Sequence, residues 1–250
     1  MENVVRYYDE LTNRMGLILK EEKENIEKAA ELISESLKDE NRLLHVFGTG
    51  GHSIMACEEL FYRAGGLFQV DPIFFAGVAQ INGGMKAQVE RIPGIAPIIM
   101  KPHTITEGEV IIISSQVGVN SLTIDAAEES KKRGLHIIGI EGRELCSLIP
   151  EDCVSRHPSG KNLHDIADIT IDAKIPYGDG IIEIEGAMQK TGAVSNILIF
   201  FILNSLVVRS VEKLVEKGIN PPIVKSANIP GGDEENEKYL KKYARLVKYL

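Results

Sequence analysis

"HVFGTGGHSIMACEELFYRAGG", residues 45–66, decides the fold. It begins inside an apolar run, "RLLHVFG" (42–48), crosses a glycine-rich turn and takes up helical spacing after Gly51. A short apolar run stopped by glycine reads as a strand buried on both faces, the parallel kind. The spacing then predicts a helix as far as Ala64, stopped by Gly65-Gly66. Strand, glycine turn and helix together form the opening of a βαβ unit.

Downstream the pattern repeats. "GEVIIISS" (108–115) reads as a strand and "QVGVNS" (116–121) as a turn, while "NSLTIDAAEESKKRG" (120–134) reads as a helix with cations in its last turn and Gly134 as its cap. "LHIIGI" and "DIADITIDA" supply a third and a fourth strand. Upstream, residues 3–39 read as two helices, the second carrying Ile26, Ala29, Ala30, Ile33 and Leu37 as one apolar stripe that must be buried. A long helix from about 188 to 217, capped by Gly218 and halted by Pro221-Pro222, closes the domain. This alternation predicts an α/β fold: a doubly wound, mostly parallel sheet flanked by helices. Residues 1–40 form an N-terminal helical extension and 41–218 the central domain. Residues 219–250 form a tail, a loop and a short helix, that packs on the core or on a neighbouring subunit. Between Gly66 and Gly108 the glycines and prolines leave room for one helix, in an excursion long enough to wall a pocket.

Composition narrows the function. The chain has 250 residues, 26% of them charged and 44% hydrophobic, as in an ordinary globular protein. A net charge of −8 without a basic patch argues against nucleic acid as a partner. Cys57, Cys146 and Cys153 show no C-x-x-C spacing and read as free thiols of a reducing cytoplasm. The first residues carry no signal-peptide pattern. The most apolar stretch, 193–208, is short for a membrane span and contains Asn196, Asn204 and Ser205, so it reads as a buried core or interface helix.

The glycine turn does not fit a dinucleotide. Gly48-x-Gly50 is followed by Gly51, and Ser53 takes the place of the third fingerprint glycine. Asp71 lies at a suitable distance for a ribose, but Pro72 follows it directly. A smaller anion fits better. The two strand-to-helix turns, Gly48–Ser53 and Ser114–Ser121, fall at the carboxyl edge of one sheet. There main-chain N–H groups and helix dipoles favour a phosphate. Gly48, Thr49, Gly50, Gly51 and Ser53 of the first turn, with Ser114, Ser115, Gly118, Asn120 and Ser121 of the second, are the candidate phosphate and sugar ligands.

Those two turns resemble the sugar isomerase (SIS) domain proteins, which bind phosphosugars. The first is similar to their G-x-G-x-S turn. The second is similar to their S-x-S-G-x-T signature, laid on Ser115-Gln116-Val117-Gly118-Val119-Asn120, with Val117 and Asn120 departing from it. The resemblance covers roughly residues 25–230. Segments such as "EELFYRAGG", "HPSGKNLHDIADITID" and "KSANIPGGDEEN" resemble a branch near the phosphoheptose isomerase type. It implies a sugar phosphate as ligand, no organic cofactor, and a homodimer or homotetramer with sites at the interface.

In that branch a glutamate on the helix after the first turn performs enolisation, and Glu58 and Glu59 stand at the matching place. Consecutive helical residues point about 100° apart, so at most one faces the pocket. The stripe Ile54, Cys57, Phe61, Ala64 favours Glu58 as the base and leaves Glu59 to pair with Arg63; the alternative is that both are solvated. The resemblance also implies a histidine on the last long helix. This chain has Gln189, Lys190 and Asn196 there instead. His52, beside the anion turn, is the first substitute, with His103, His157, Glu183 and Glu185 behind it. No metal is expected, because His157 and His164 stand seven apart, and no G-x-S-x-G nucleophile elbow occurs. The leading reading is an aldose–ketose isomerase, or a related lyase, acting on a sugar phosphate. The rivals are a non-catalytic phosphosugar sensor and a purely structural oligomerisation domain.

Overall fold

The computed structural model describes residues 1–250. Five strands form one parallel sheet: β1 (Leu44–Gly48), β2 (Val70–Pro72), β3 (Val110–Ser114), β4 (His136–Glu141) and β5 (Ile169–Asp172), in the order β2-β1-β3-β4-β5. All four neighbouring pairs are parallel, with Gly48 aligned to Ser114 and Ser114 to Ile140. Strand order reverses between β1 and β3. That switch point is where an open α/β sheet leaves a crevice for a ligand.

Alternate side chains of each strand enter opposite layers, as the two-residue period requires. Leu44, Val46, Val110, Ile112, Ile138 and Ile140 pack against α1 (Glu2–Glu21), α2 (Lys23–Leu37) and the long α8 (Ser195–Glu216). Phe47, Ile111, Ile113 and Ile137 pack against α5 (Ala96–Met100) and α6 (Ser121–Lys132). The α2 stripe of Ile26, Ala29, Ala30, Ile33 and Leu37 is wholly buried. A charge ladder fixes α2 along α8: Glu27 meets Arg209 and Lys213, Glu31 meets Lys213 and Lys217, and Glu35 meets Lys217. Leu198, Ile202, Leu203 and Leu206 of α8 are core residues, and no helix is long and apolar enough to cross a membrane.

Four sequence expectations are corrected. The helix after the first turn, α3 (Met55–Leu60), ends four residues before Ala64. Tertiary pairing overrides its period: Tyr62 takes a left-handed φ of 47°, and residues 65–68 bond to the tail through Gly65 N–H to Val224 O (2.9 Å) and Phe68 N–H to Pro222 O (2.9 Å). Phe68 then stacks on Tyr243 of α9 (Gly232–Tyr243), in a small core with Leu43, Val224 and Val247 that seats the tail on its own domain. The sheet has five strands where the sequence suggested four. The extra one, β2, is three residues long and contains Pro72, tolerable because it is an edge strand. The excursion holds β2, two 3₁₀ turns, α4 (Gly84–Val89) and α5 where one helix was expected. Finally, α8 starts at Ser195, about seven residues later than expected. Asp179 takes its first N–H groups (Val194 N, 3.1 Å; Ser195 N, 2.8 Å), and residues 180–193 form the hairpin β6 (Gly180–Ile182) and β7 (Thr191–Ala193).

Candidate functional site

The two sequence-predicted turns come together at the switch point and are stitched to each other. Thr49 N–H donates to Ser114 O at 3.0 Å and its hydroxyl lies 2.7 Å from that of Thr123. Gln116 N–H donates to Ser53 Oγ at 3.1 Å, and Gly118 N–H to Ser115 Oγ at 3.0 Å. Thr49, Ser53 and Ser115 are therefore framework as well as candidate ligands, although Ser53 and Ser115 accept in these bonds and keep their own protons to donate. Gly48 is required by close approach: a β-carbon there would fall 2.0 Å from Ser53 O and 2.4 Å from Ile54 Cα.

The main-chain amides are what remain. Gly50, Gly51, His52 and Ser53 in the first turn, and Val117, Val119, Asn120 and Ser121 in the second, have N–H groups without a main-chain acceptor. Ser114 Oγ and Asn120 Oδ1 are buried without any partner, and Ser121 is also buried. The Gly51 amide already faces the Glu90 carboxylate; the remaining amides on the two adjoining turns, with α6 starting from the second, are donors of the kind that suit an oxyanion.

Two residues that the sequence reading missed cover the first turn. A β-carbon on Gly51 would come within 2.4 Å of Lys86 Nζ, and one on Gly50 would come within 3.1 Å of Glu90 Oε2. Both side chains come from the excursion, Lys86 from α4 and Glu90 from the residue that caps it, and Glu90 O accepts from Leu122 N–H in α6 at 3.0 Å. Burial raises the Glu90 carboxyl above the usual carboxylate range, offset in part by Lys86, the Gly51 amide, Arg91 and His52. His52 itself is exposed at the rim. The only sequence signal for this pair was its i, i+4 spacing between glycines, which carries no information about where the segment folds.

The two glutamates of α3 separate. Glu58 is exposed and lines a recess of about 220 Å³ with Cys57, Phe61, Pro72, Phe74 and Tyr249, the last reaching in from the tail. Glu59 is half-buried, paired with Arg63 at 3.1 Å and accepting from Asn204 Nδ2 of α8 at 2.8 Å. Of the polar residues expected near the start of the last helix, Asn196 approaches Met55 of α3 (Nδ2 to Sδ, 3.7 Å) with its buried Oδ1 unpartnered. Gln189 and Lys190 are exposed beside the hairpin, as are Glu183 and Glu185. His157 donates its main-chain N–H to Val119 O of the second turn (2.8 Å), while its ring Nε2 stands 3.3 Å from Asp125.

Two further polar clusters are buried. His103, Asp71, His45 and Glu109 form a continuous chain across β2, β1 and the entry to β3, with contacts of 2.9–3.0 Å. Glu141, Cys146 and His164 bring ligand-type atoms within 4.8 Å of one another, the one such group able to hold a metal ion. Burial pushes the Cys146 thiol up to about 11 and the Cys57 thiol to about 12.

A parallel α/β sheet with glycine-rich turns at its switch point places the chain among doubly wound α/β domains. Residues 6–142 match the family model described as the SIS domain, and the chain belongs to that family. It is 39% identical to a UPF0309 protein of Caldanaerobacter subterraneus, over 98% of both chains. It is also 39% identical to one of Thermoanaerobacter pseudethanolicus, over 99% of this chain and all of that one. Among solved structures, the fold is similar to phosphoheptose isomerase GmhA from Neisseria gonorrhoeae (TM-score 0.54, 18% identity, 83% of this chain and 97% of that one). It is likewise similar to a phosphoheptose isomerase from Francisella tularensis (TM-score 0.53, 13% identity, 84% and 97%).

Proposed function

We propose that this SIS-domain protein binds a sugar phosphate through its ester phosphate at the two turns and isomerises the sugar, or cleaves it, by enolisation. The supporting observation is the set of amides without main-chain acceptors on two adjoining turns, the second open and the first overlain by Glu90 and Lys86. A phosphate offers more acceptor oxygens than one turn can serve, and its charge suits the start of α6. Enolisation needs a carboxylate base at the carbonyl end of the sugar, displaced from the phosphate. Glu58 lies on α3, five residues beyond Ser53 in sequence and on the helix that follows the first turn. It also borders a recess with apolar walls. Glu59, held by Arg63 and Asn204, serves as the control.

Thermal shift with sugar phosphates and the matching free sugars tests binding. Only the phosphates are expected to raise Tm, and equal shifts with both would overturn the reading. Exchange of the sugar's C2 hydrogen in deuterated solvent tests the chemistry. It is expected in the parent, lost in Glu58→Gln and kept in Glu59→Gln. Binding without exchange in the parent establishes the alternative, a phosphosugar-sensing protein.

The working form we propose is a homodimer or homotetramer in the cytoplasm. Val4, Val5, Tyr8 and Leu19 leave more than half of their surface exposed on α1, and Leu19 also lines a recess of about 460 Å³ between α2 and α8, surfaces that suit a second copy. Light scattering is expected to give a multiple of the monomer mass, lowered by Tyr8→Asp. A monomeric parent excludes it.

A further inference from the structure

We propose that Glu141, Cys146 and His164 form a binding site for a divalent transition metal of the zinc class, set against the second anion turn. The fold brings the three together from separate segments. Glu141 is the last residue of β4, Cys146 lies on α7 (Arg143–Leu148) directly after it, and His164 sits in the 3₁₀ turn Leu163–Asp165 that leads into β5. Their donor atoms, a carboxylate oxygen, a thiol sulfur and an imidazole nitrogen, all lie within 4.8 Å of one another.

An ordinary ion pair accounts for only part of this arrangement. Glu141 Oε1 is hydrogen-bonded to His164 Nδ1, but Glu141 Oε2 is fully buried and has no partner. The whole Glu141 side chain is 0% exposed. Buried carboxylate oxygens are normally satisfied, so an orphan beside a thiol and an imidazole points to a ligand. The Cys146 thiol finds only Asn162 Oδ1, at 3.4 Å.

The donor set selects the metal. Sulfur with nitrogen favours zinc and its neighbours over calcium or magnesium, which take oxygen. One thiolate and one carboxylate neutralise a dication, removing the cost of an uncompensated buried charge. Outside the triad, the Asp165 carboxylate accepts from Asn162 N–H (2.8 Å) and stands 3.8 Å from His164 Nε2, beyond hydrogen-bond reach but near enough to favour a cationic site.

Three protein ligands leave a tetrahedral ion one open position. Glu141 Oε2 lies 1.9 Å from where a β-carbon on Gly118 would stand, so the site abuts the second turn, and Gly118 must be glycine on this ground as well as for its φ of 67°. The segment that carries His164 is bonded to the same turn, through Leu163 N–H to Gly118 O and His157 N–H to Val119 O, both 2.8 Å. A bound ion therefore braces the turn that offers its amides to an anion. The inference stands on the triad alone and does not depend on the sugar-phosphate reading.

Cobalt(II) titration of the chelator-dialysed full chain tests it. One equivalent is expected to give thiolate-to-cobalt charge-transfer absorption and the intense visible bands of tetrahedral cobalt. Cys146→Ser should abolish the charge-transfer band, and Cys153→Ser should leave it intact. If Cys146→Ser does not fold, His164→Gln takes its place and should lose the tetrahedral spectrum. No charge-transfer band in the parent, or a band that survives both substitutions, overturns the proposal. So does a parent Tm that Zn²⁺ leaves unchanged.

Discussion

Asp71→Ala is expected to cost about 3–5 kcal/mol, the range for removing one member of a buried charge pair, and to lower Tm by about 6–20 °C for a chain of this size. Asp71 is fully buried and bonds both His45 Nδ1 (3.0 Å) and His103 Nδ1 (2.9 Å), while His45 Nε2 reaches Glu109 at 2.9 Å. Glu109 in turn accepts from Leu43 N–H (2.8 Å) and Thr106 N–H (2.7 Å). The chain thus ties β2, β1 and the entry to β3 together at the end of the sheet opposite the turns. Removing Asp71 leaves His45 with Glu109 alone and strands His103, whose buried Nε2 already has no partner.

The same network fixes a pH signature. Burial would raise the Asp71 carboxyl, but its bonds from His103 and His45 prevail and hold it below its ordinary value of 3.8. Its contribution is present above that value and is lost as pH falls through the lower folded one. Burial would lower His45, but Asp71 and Glu109 prevail and hold it above its ordinary 6.5. That contribution is complete below 6.5 and is lost as pH rises through the raised folded value. Parent stability from this source is therefore greatest from about pH 4 to 6.5. In Asp71→Ala, His45 keeps one carboxylate partner, so its alkaline decline still begins near 6.5 but is smaller and ends at lower pH. Urea unfolding at three pH values measures both effects. A variant within 1 kcal/mol of the parent across the range would show that the network adds little to stability.

How far the sequence spoke depended on whether a feature had a period. The α2 stripe, the runs around Val46, Ile112 and Ile138, and the cap at Gly134 are local patterns, and each produced the expected element. β2 had no pattern to offer: a three-residue edge strand of Val70, Asp71 and Pro72 exists because β1 provides its partner. Phe61, Tyr62 and Phe68 shorten α3 because Tyr239 and Tyr243, some 180 residues away in sequence, provide a better place for aromatic surface. The two glycine turns were legible because glycines and hydroxyls are visible at a strand-to-helix junction. The hydroxyls' part in binding the turns to each other was not, nor was the gathering of Glu141, Cys146 and His164, since both depend on side chains meeting from distant segments.

Glu90 is where the structure changes the functional argument most. A carboxylate beside Gly50 occupies the space in which a phosphate would approach the first turn, with Lys86 alongside. An anion entering there must displace or protonate Glu90, or suffer its repulsion, whereas it gains from Lys86. Glu90→Gln is accordingly expected to tighten phosphate or sugar-phosphate binding about 10–100-fold, roughly 1.4–2.8 kcal/mol, and Lys86→Ala to weaken it about tenfold. Burial raises the Glu90 carboxyl, so it sheds its charge at higher pH than a free glutamate does. The advantage of Glu90→Gln should therefore be largest near pH 8 and shrink toward none as pH falls through that raised value. Taking the ratio of variant to parent affinity cancels the titration of the phosphate itself. Isothermal titration from pH 5 to 8 gives that ratio directly. A ratio of one throughout would show that Glu90 swings clear of the ligand at no cost, and one below one would make it a ligand-binding group.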